Sequence, residues 1–129
     1  MNDREIVADA SAIIALWQNE AFGAFEPERL VGAAISAVNF CEILAKLGSG
    51  GLTAAETDAA VHALDLRVIG FDEDEARAAA QLWSTTRRFG LSLADRACLA
   101  LGLGLGRPVV TADRAWAKLD IGIEIVLIR

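Results

Sequence analysis

The sequence is poor in the residues that most often carry chemistry at neutral pH. It has one histidine, His62, in 129 residues. That removes any histidine-based acid–base scheme the chain could run alone. It has two cysteines, Cys41 and Cys98, without metal-ligand spacing and without a second pair. Both lie in apolar stretches and are expected to be reduced core residues, which favours the cytoplasm. Positive charge is scarce too. Twelve Lys and Arg stand against 18 Asp and Glu, for a formal net charge of −6. A nucleic-acid binder that depends on a broad basic surface is excluded. No uncharged apolar run approaches the ~20 residues that span a bilayer. The start, Met1-Asn-Asp-Arg-Glu5, is charged, unlike a signal peptide. No membrane contact is expected.

What is present is a chain 54% hydrophobic, much of it Ala and Leu, which suits packed helices. The length fits one domain, residues 1–129, with a core that stands without disulfides. Apolar runs at 5–8, 33–35, 67–70, 108–110 and 123–128 read as strands. Between them lie helical stretches at 12–18, capped by Ser11, and at 37–47, capped by Ser36 and stopped by Gly48-Ser49-Gly50-Gly51. A loop with a short helix fills 19–30. Thr53 and Glu56 form a capping box opening a helix to Leu66. Asp72 and Glu75 open another, with Ala76, Ala79, Ala80 and Trp83 as its apolar stripe and Gly90 as its end. Helices at 92–101 and 113–118 follow. Gly102, Gly104 and Gly106 read as breakers of the first. Trp17, Trp83 and Trp116 read as core or interface anchors. Alternating strands and helices predict an α/β fold, a three-layer α/β/α arrangement around a central parallel sheet. In such sheets, sites form beyond the carboxyl ends of the strands.

Two acids fall at those ends: Asp9 directly after the first strand and Asp113 just after the fourth. Two more stand on apolar helices, Glu42 on 37–47 and Asp95 on 92–101. Each has a local reading as well. Asp9 can cap the first helix, Glu42 can pair with Lys46, Asp95 can share a capping box with Ser92, and Asp113 can cap the last helix. If the four converge, their mutual repulsion calls for raised pKa values or a cation. Two divalent ions would cancel most of the net charge. Oxygen ligands without His or Cys select Mg²⁺ or Mn²⁺, and such sites suit phosphoryl chemistry.

Val7-Ala-Asp9-Ala-Ser11-Ala, Ser36-Ala-Val-Asn-Phe-Cys-Glu42, Leu91-Ser-Leu-Ala-Asp95-Arg and Val110-Thr-Ala-Asp113 together resemble the motifs of PIN-domain nucleases. The VapC-type toxins of toxin–antitoxin pairs are the nearest match. The resemblance spans nearly the whole chain. It implies a PIN-like fold and endoribonuclease activity that depends on Mg²⁺, with Mn²⁺ able to substitute, and hydrolysis that leaves a 5′-phosphate. It makes Asp9, Glu42, Asp95 and Asp113 the catalytic, metal-binding acids. Ser11 and Thr111 fall where the family often places hydroxyls that orient them, and Asn39 lies one helical turn before Glu42. The resemblance also implies an RNA substrate, a homodimer, and an antitoxin that inserts a segment into the acidic cleft, often with a basic residue. Arg87, Arg88, Arg96 and Arg114 are candidate cations for RNA phosphates, Arg96 and Arg114 ahead because each adjoins a site acid; the alternative for each is a plain salt bridge. The competing readings are a phospho-receiver signalling domain and a catalytically silent PIN-like binding module.

Overall fold

Aliphatic runs too short for helices become strands. In the computed structural model, which describes residues 5–129, these are β1 (Val7–Ala8), β2 (Ala34–Ser36), β3 (Arg67–Ile69), β4 (Val109–Thr111) and β5 (Ile125–Leu127). They pair in parallel in the order β3-β2-β1-β4-β5. Parallel neighbours need crossovers. The helices are α1 (Ala10–Trp17), α2 (Ala37–Ser49), α3 (Ala54–His62), α4 (Glu73–Gln81), α5 (Trp83–Thr86) and α6 (Leu93–Leu105). Short 3₁₀ turns lie at Pro27–Leu30, Arg87–Phe89 and Arg114–Lys118. The charged start, Met1–Arg4, falls outside the described residues.

Both faces of the sheet are buried, as a parallel sheet requires. Ile6, Ala8, Ile35 and Val110 face one core with Ile13, Ile43 and Leu47 from α1 and α2. The alternate residues Val7, Ala34 and Val109 face the other, with Ala79, Leu82, Leu99 and Trp116. This period of two across two covered faces produces the expected three-layer α/β/α arrangement. From β1 the chain builds outward through β2 and β3, then returns to add β4 and β5 on β1's other side. The strand order therefore reverses between β1 and β4, the point at which sites form in such sheets.

Several local expectations need correction. Helix α1 starts at Ala10 with Asp9 at its N-cap, so Ser11 lies inside the first turn rather than capping it. Helix α2 runs on through Gly48 to Ser49. Helix α3 ends at His62, not Leu66. Helix α6 passes through Gly102 and Gly104 and ends only at Gly106, with φ +65°. Gly102 is there for packing: a Cβ would run into the Val109 side chain, so the missing side chain lets α6 lie close on β4.

The segment after Asp72 divides into α4, α5 and the Arg87–Phe89 turn, and Gly90 closes it with φ +73°. Its buried stripe is Ala79, Leu82 and Thr86, while Ala76 and Ala80 are exposed. Trp83 is 50% exposed. An alanine-rich helix carries little hydrophobic contrast, and Leu82 offers more apolar area to bury than its alanine neighbours. Trp17 is also exposed, whereas Trp116 is fully buried as expected. Cys98 is buried but Cys41 is exposed. The inward face of α2 is Asn39, Ile43 and Leu47, and Cys41 falls off it. Among the described residues no helix is long and apolar enough to cross a membrane.

Candidate active site

The strand reversal is organised around Asp9. Its backbone N–H donates to the Val110 carbonyl at 2.9 Å, which ties the residue to β4 just past the end of β1. Its side chain is only 5% exposed. One carboxylate oxygen, Oδ2, accepts from Ser11 Oγ at 2.5 Å and from Thr111 Oγ1 at 2.9 Å. The two hydroxyls lie 3.2 Å apart. Each also accepts a backbone N–H from the loop after β4: Ala112 N–H to Ser11 at 2.9 Å and Asp113 N–H to Thr111 at 3.1 Å. Asp9 thus joins the start of α1 to the end of β4, although about a hundred residues separate the two segments.

Burial pushes the Asp9 carboxyl up to about 6 from an ordinary 3.8. The Ser11 and Thr111 hydroxyls work against that shift, and the charges of Asp95 and Glu42 add to it. The same three carboxylates reach Cys98. Burial, chiefly, and then Asp9, Asp95 and Glu42 hold its thiol well above its usual range. Asp9, Glu42 and Asp95 therefore share one electrostatic neighbourhood, brought together where α2 packs against both α1 and α6.

The acids beyond Asp9 are held locally. Glu42 is exposed rather than buried in an apolar helix face. No ion pair with Lys46 occurs among the described salt bridges. Instead Glu42 Oε1 accepts from Asn39 Nδ2 at 3.1 Å. Asn39 is fully buried, and the same nitrogen donates to the Ala94 carbonyl at 3.0 Å. It is therefore a bridge from Glu42 to the first turn of α6. Asn39 Oδ1 is buried without a partner. Asp95 is half-buried and completes a capping box: Ser92 N–H donates to its Oδ2 at 2.9 Å, and its own N–H donates to Ser92 Oγ at 3.2 Å. Asp113 is exposed, and its Oδ1 accepts from Ala115 N–H at 3.0 Å, capping the turn that follows. It joins the Asp9 network through its backbone, and its charge is not among those acting on Asp9.

Arg96 points away from a role with phosphate. Its Nη1 donates to the Leu91 carbonyl at 3.2 Å and its Nε is buried. Arg114 is exposed and enters no ion pair among the described residues.

The donor set fits a hard divalent cation by its chemistry: carboxylate oxygens around one buried acid that burial and two neighbouring charges keep from ionising freely. As the side chains stand, no group of three or more His, Cys, Asp and Glu among the described residues converges closely enough to hold an ion. Asp95 and Asp113 are turned onto backbone N–H groups instead.

Residues 6–122 match the PIN domain family. The chain belongs to the PIN domain family. PIN domains are in general nucleases, and they typically use divalent metals. That assignment sets the phospho-receiver reading aside. The fold is similar to solved toxin–antitoxin structures. A DNA-bound VapBC from Salmonella typhimurium superposes with a TM-score of 0.68 at 20% identity, over 94% of this chain and 96% of that one. VapBC-5, a toxin–antitoxin system from Mycobacterium tuberculosis, gives 0.62 at 25% identity, over 96% and 98%. A toxin–antitoxin complex from Klebsiella pneumoniae gives 0.65 at 17% identity, over 94% and 100%. No match is found among curated proteins.

Proposed function

We propose that the chain, read as one domain over 1–129, is an endoribonuclease that depends on Mg²⁺ or Mn²⁺ and acts as the cytoplasmic toxin of a toxin–antitoxin pair. The observation that carries this reading is Asp9: a nearly buried carboxylate at the strand reversal, clamped by two hydroxyls and facing the charges of Asp95 and Glu42. Such an acid is costly to ionise without a cation beside it.

Asp9, Glu42, Asp95 and Asp113 would hold the metal. When bound, it supplies an acidified water and positive charge for the scissile phosphate. The protein's own part is orientation. Ser11 and Thr111 fix Asp9 through Oδ2, and among the described hydrogen bonds none engages Oδ1. Asn39 sets Glu42 against α6. The likeness to VapBC structures supports an antitoxin partner. A guanidinium from its inserted segment would meet the same carboxylates with bidentate hydrogen bonds, taking the place of the cation's charge. Pairing of two copies belongs to the same reading.

The test is cleavage of RNA with Mg²⁺ or Mn²⁺ by the wild type and by Asp9→Asn. Cleavage that needs the metal and is lost in the variant supports the proposal. Metal binding or cleavage that is absent from the wild type selects the silent PIN-like module instead.

A further inference from the structure

A cleft lies between α5 with the Arg87–Phe89 turn and the Arg114–Lys118 turn with the loop after it. Its volume is about 600 Å³, ample for a nucleotide unit. Arg87, Arg88 and Lys118 line it, with the Ser84 hydroxyl, against one carboxylate, Asp120. In a chain of net charge −6 this is a local excess of positive charge. None of the three cations enters a described ion pair, since those pairs are Arg67–Glu5, Arg77–Glu73 and Arg129–Glu20.

The two arginines are held by aromatic rings instead. The Arg87 guanidinium sits 4.9 Å from the centre of the Trp83 ring, and that of Arg88 sits 5.0 Å from the Phe89 ring. Stacking of this kind orients a guanidinium by its face while its N–H edge keeps its donors. An oriented planar fork with unengaged donors suits a phosphate oxygen pair. Trp83, half exposed, lies outside the cleft's lining and serves to hold the Arg87 guanidinium from behind.

The chain also connects this cleft to the acids. The turn carrying Arg87 and Arg88 leads through Gly90–Ser92 into the first turn of α6, where Asp95 stands. The turn carrying Lys118 opens on Asp113, its N-cap. Both walls are thus continuations of acid-bearing segments.

We propose that this cleft is a phosphodiester-binding subsite for single-stranded RNA. It holds the strand outside the acidic centre through Arg87, Arg88 and Lys118. The assignment rests on the nuclease reading for its choice of ligand. It also explains how an acidic protein engages a polyanion: the basic contact is concentrated in one cleft instead of spread over the surface.

The test is binding of a fluorescent single-stranded RNA of about ten nucleotides, by fluorescence anisotropy across a salt series with EDTA present. Wild type and Asp9→Asn are expected to bind alike. The double variant Arg87→Ala, Arg88→Ala should lose about tenfold or more, with a salt slope lower by roughly 1–2. Lys118→Ala, on an exposed side chain, should lose a few-fold while keeping the wild-type melting temperature. Arg87→Lys with Arg88→Lys should recover part of the loss, because charge returns without the fork. Wild-type affinity and salt slope in both alanine variants would overturn the proposal, as would an RNA that does not bind at all. Equal binding of polyglutamate, lost in the same variants, would assign the cleft to an acidic protein and overturn the RNA assignment. The two readings fail separately. Cleavage that survives alongside unaltered binding in the arginine variants removes only the cleft. Binding lost in those variants, in a protein that cleaves nothing, removes only the nuclease.

Discussion

Two kinds of carboxylate share one electrostatic neighbourhood. At the strand ends, Asp9 is buried and joined through Ser11 and Thr111 to the loop after β4, contacts that reach across most of the chain. On the helices, Glu42 and Asp95 are held by Asn39 and Ser92, each three residues away, at more exposed positions. Long-range bonds in a buried setting fix a group as firmly as the fold itself, because breaking them means opening the sheet edge. Local caps in contact with water exchange partners at a cost of about 1 kcal/mol. On the proposed reading, Asp9 would be a fixed anchor, and the helix acids would be ligands that leave their caps for a cation.

Substitutions can break this contrast. The largest effect on activity belongs to Asp9→Asn, which removes the anchor's charge and keeps its shape. RNA cleavage with Mn²⁺ should fall about a thousandfold or more, since a catalytic metal supplies several kcal/mol. Thr111→Val comes next. It deletes the hydroxyl that donates to Asp9 and accepts from Asp113 N–H, so the buried Asp9 carboxylate loses one of its two donors. Chemical denaturation should show a loss of about 1–3 kcal/mol, and cleavage should fall roughly 10- to 100-fold, as for residues that orient metal ligands. Gly102→Ala pushes α6 off Val109. It should cost about 1–3 kcal/mol and disturb Asp95, which rides on α6, more than Asp9. Ser92→Ala should have the smallest effect: about 1 kcal/mol of stability and little change in cleavage, because it only frees Asp95 from its cap. A Ser92→Ala loss of activity as large as that of Thr111→Val would erase the distinction between anchor and helix acids.

The strands and the acids at their ends were legible in the sequence because β-branched runs such as Pro108-Val-Val110 and 123–128 have few other ways to be buried. The layered parallel arrangement followed from the alternation of elements. Packing detail was less legible. Gly102 looks like a helix breaker until Val109 is seen against it, and the α4 segment has too many alanines for its buried stripe to be read from periodicity. Within the site, the sequence pointed to four acids, Asp9, Glu42, Asp95 and Asp113; the charges of Glu42 and Asp95 act on Asp9, and that of Asp113 is not among them. It did not show that Asn39 ties Glu42 to α6, or that Arg96 is bound to the Leu91 carbonyl, because both depend on how α2 and α6 pack. Arg87, Arg88 and Lys118 line one cleft only because two turns far apart in the chain fold side by side.

The central claim is that Asp9 sits in a charge-strained position that a divalent cation relieves. A carboxyl raised from 3.8 to about 6 binds its proton more tightly in the folded state than in the unfolded one. Its contribution to stability is therefore full below about pH 4 and is lost as pH rises to about 6, on the order of 2–3 kcal/mol. The direct measurement is thermal unfolding of wild type and Asp9→Asn at pH 5 and pH 8, with and without Mn²⁺. Without metal, the variant should gain on the wild type as pH rises, and Mn²⁺ at pH 8 should raise the wild-type melting temperature while leaving the variant's nearly unchanged. Equal stabilisation of both proteins by Mn²⁺, or a melting-temperature difference that does not move with pH, would contradict the account.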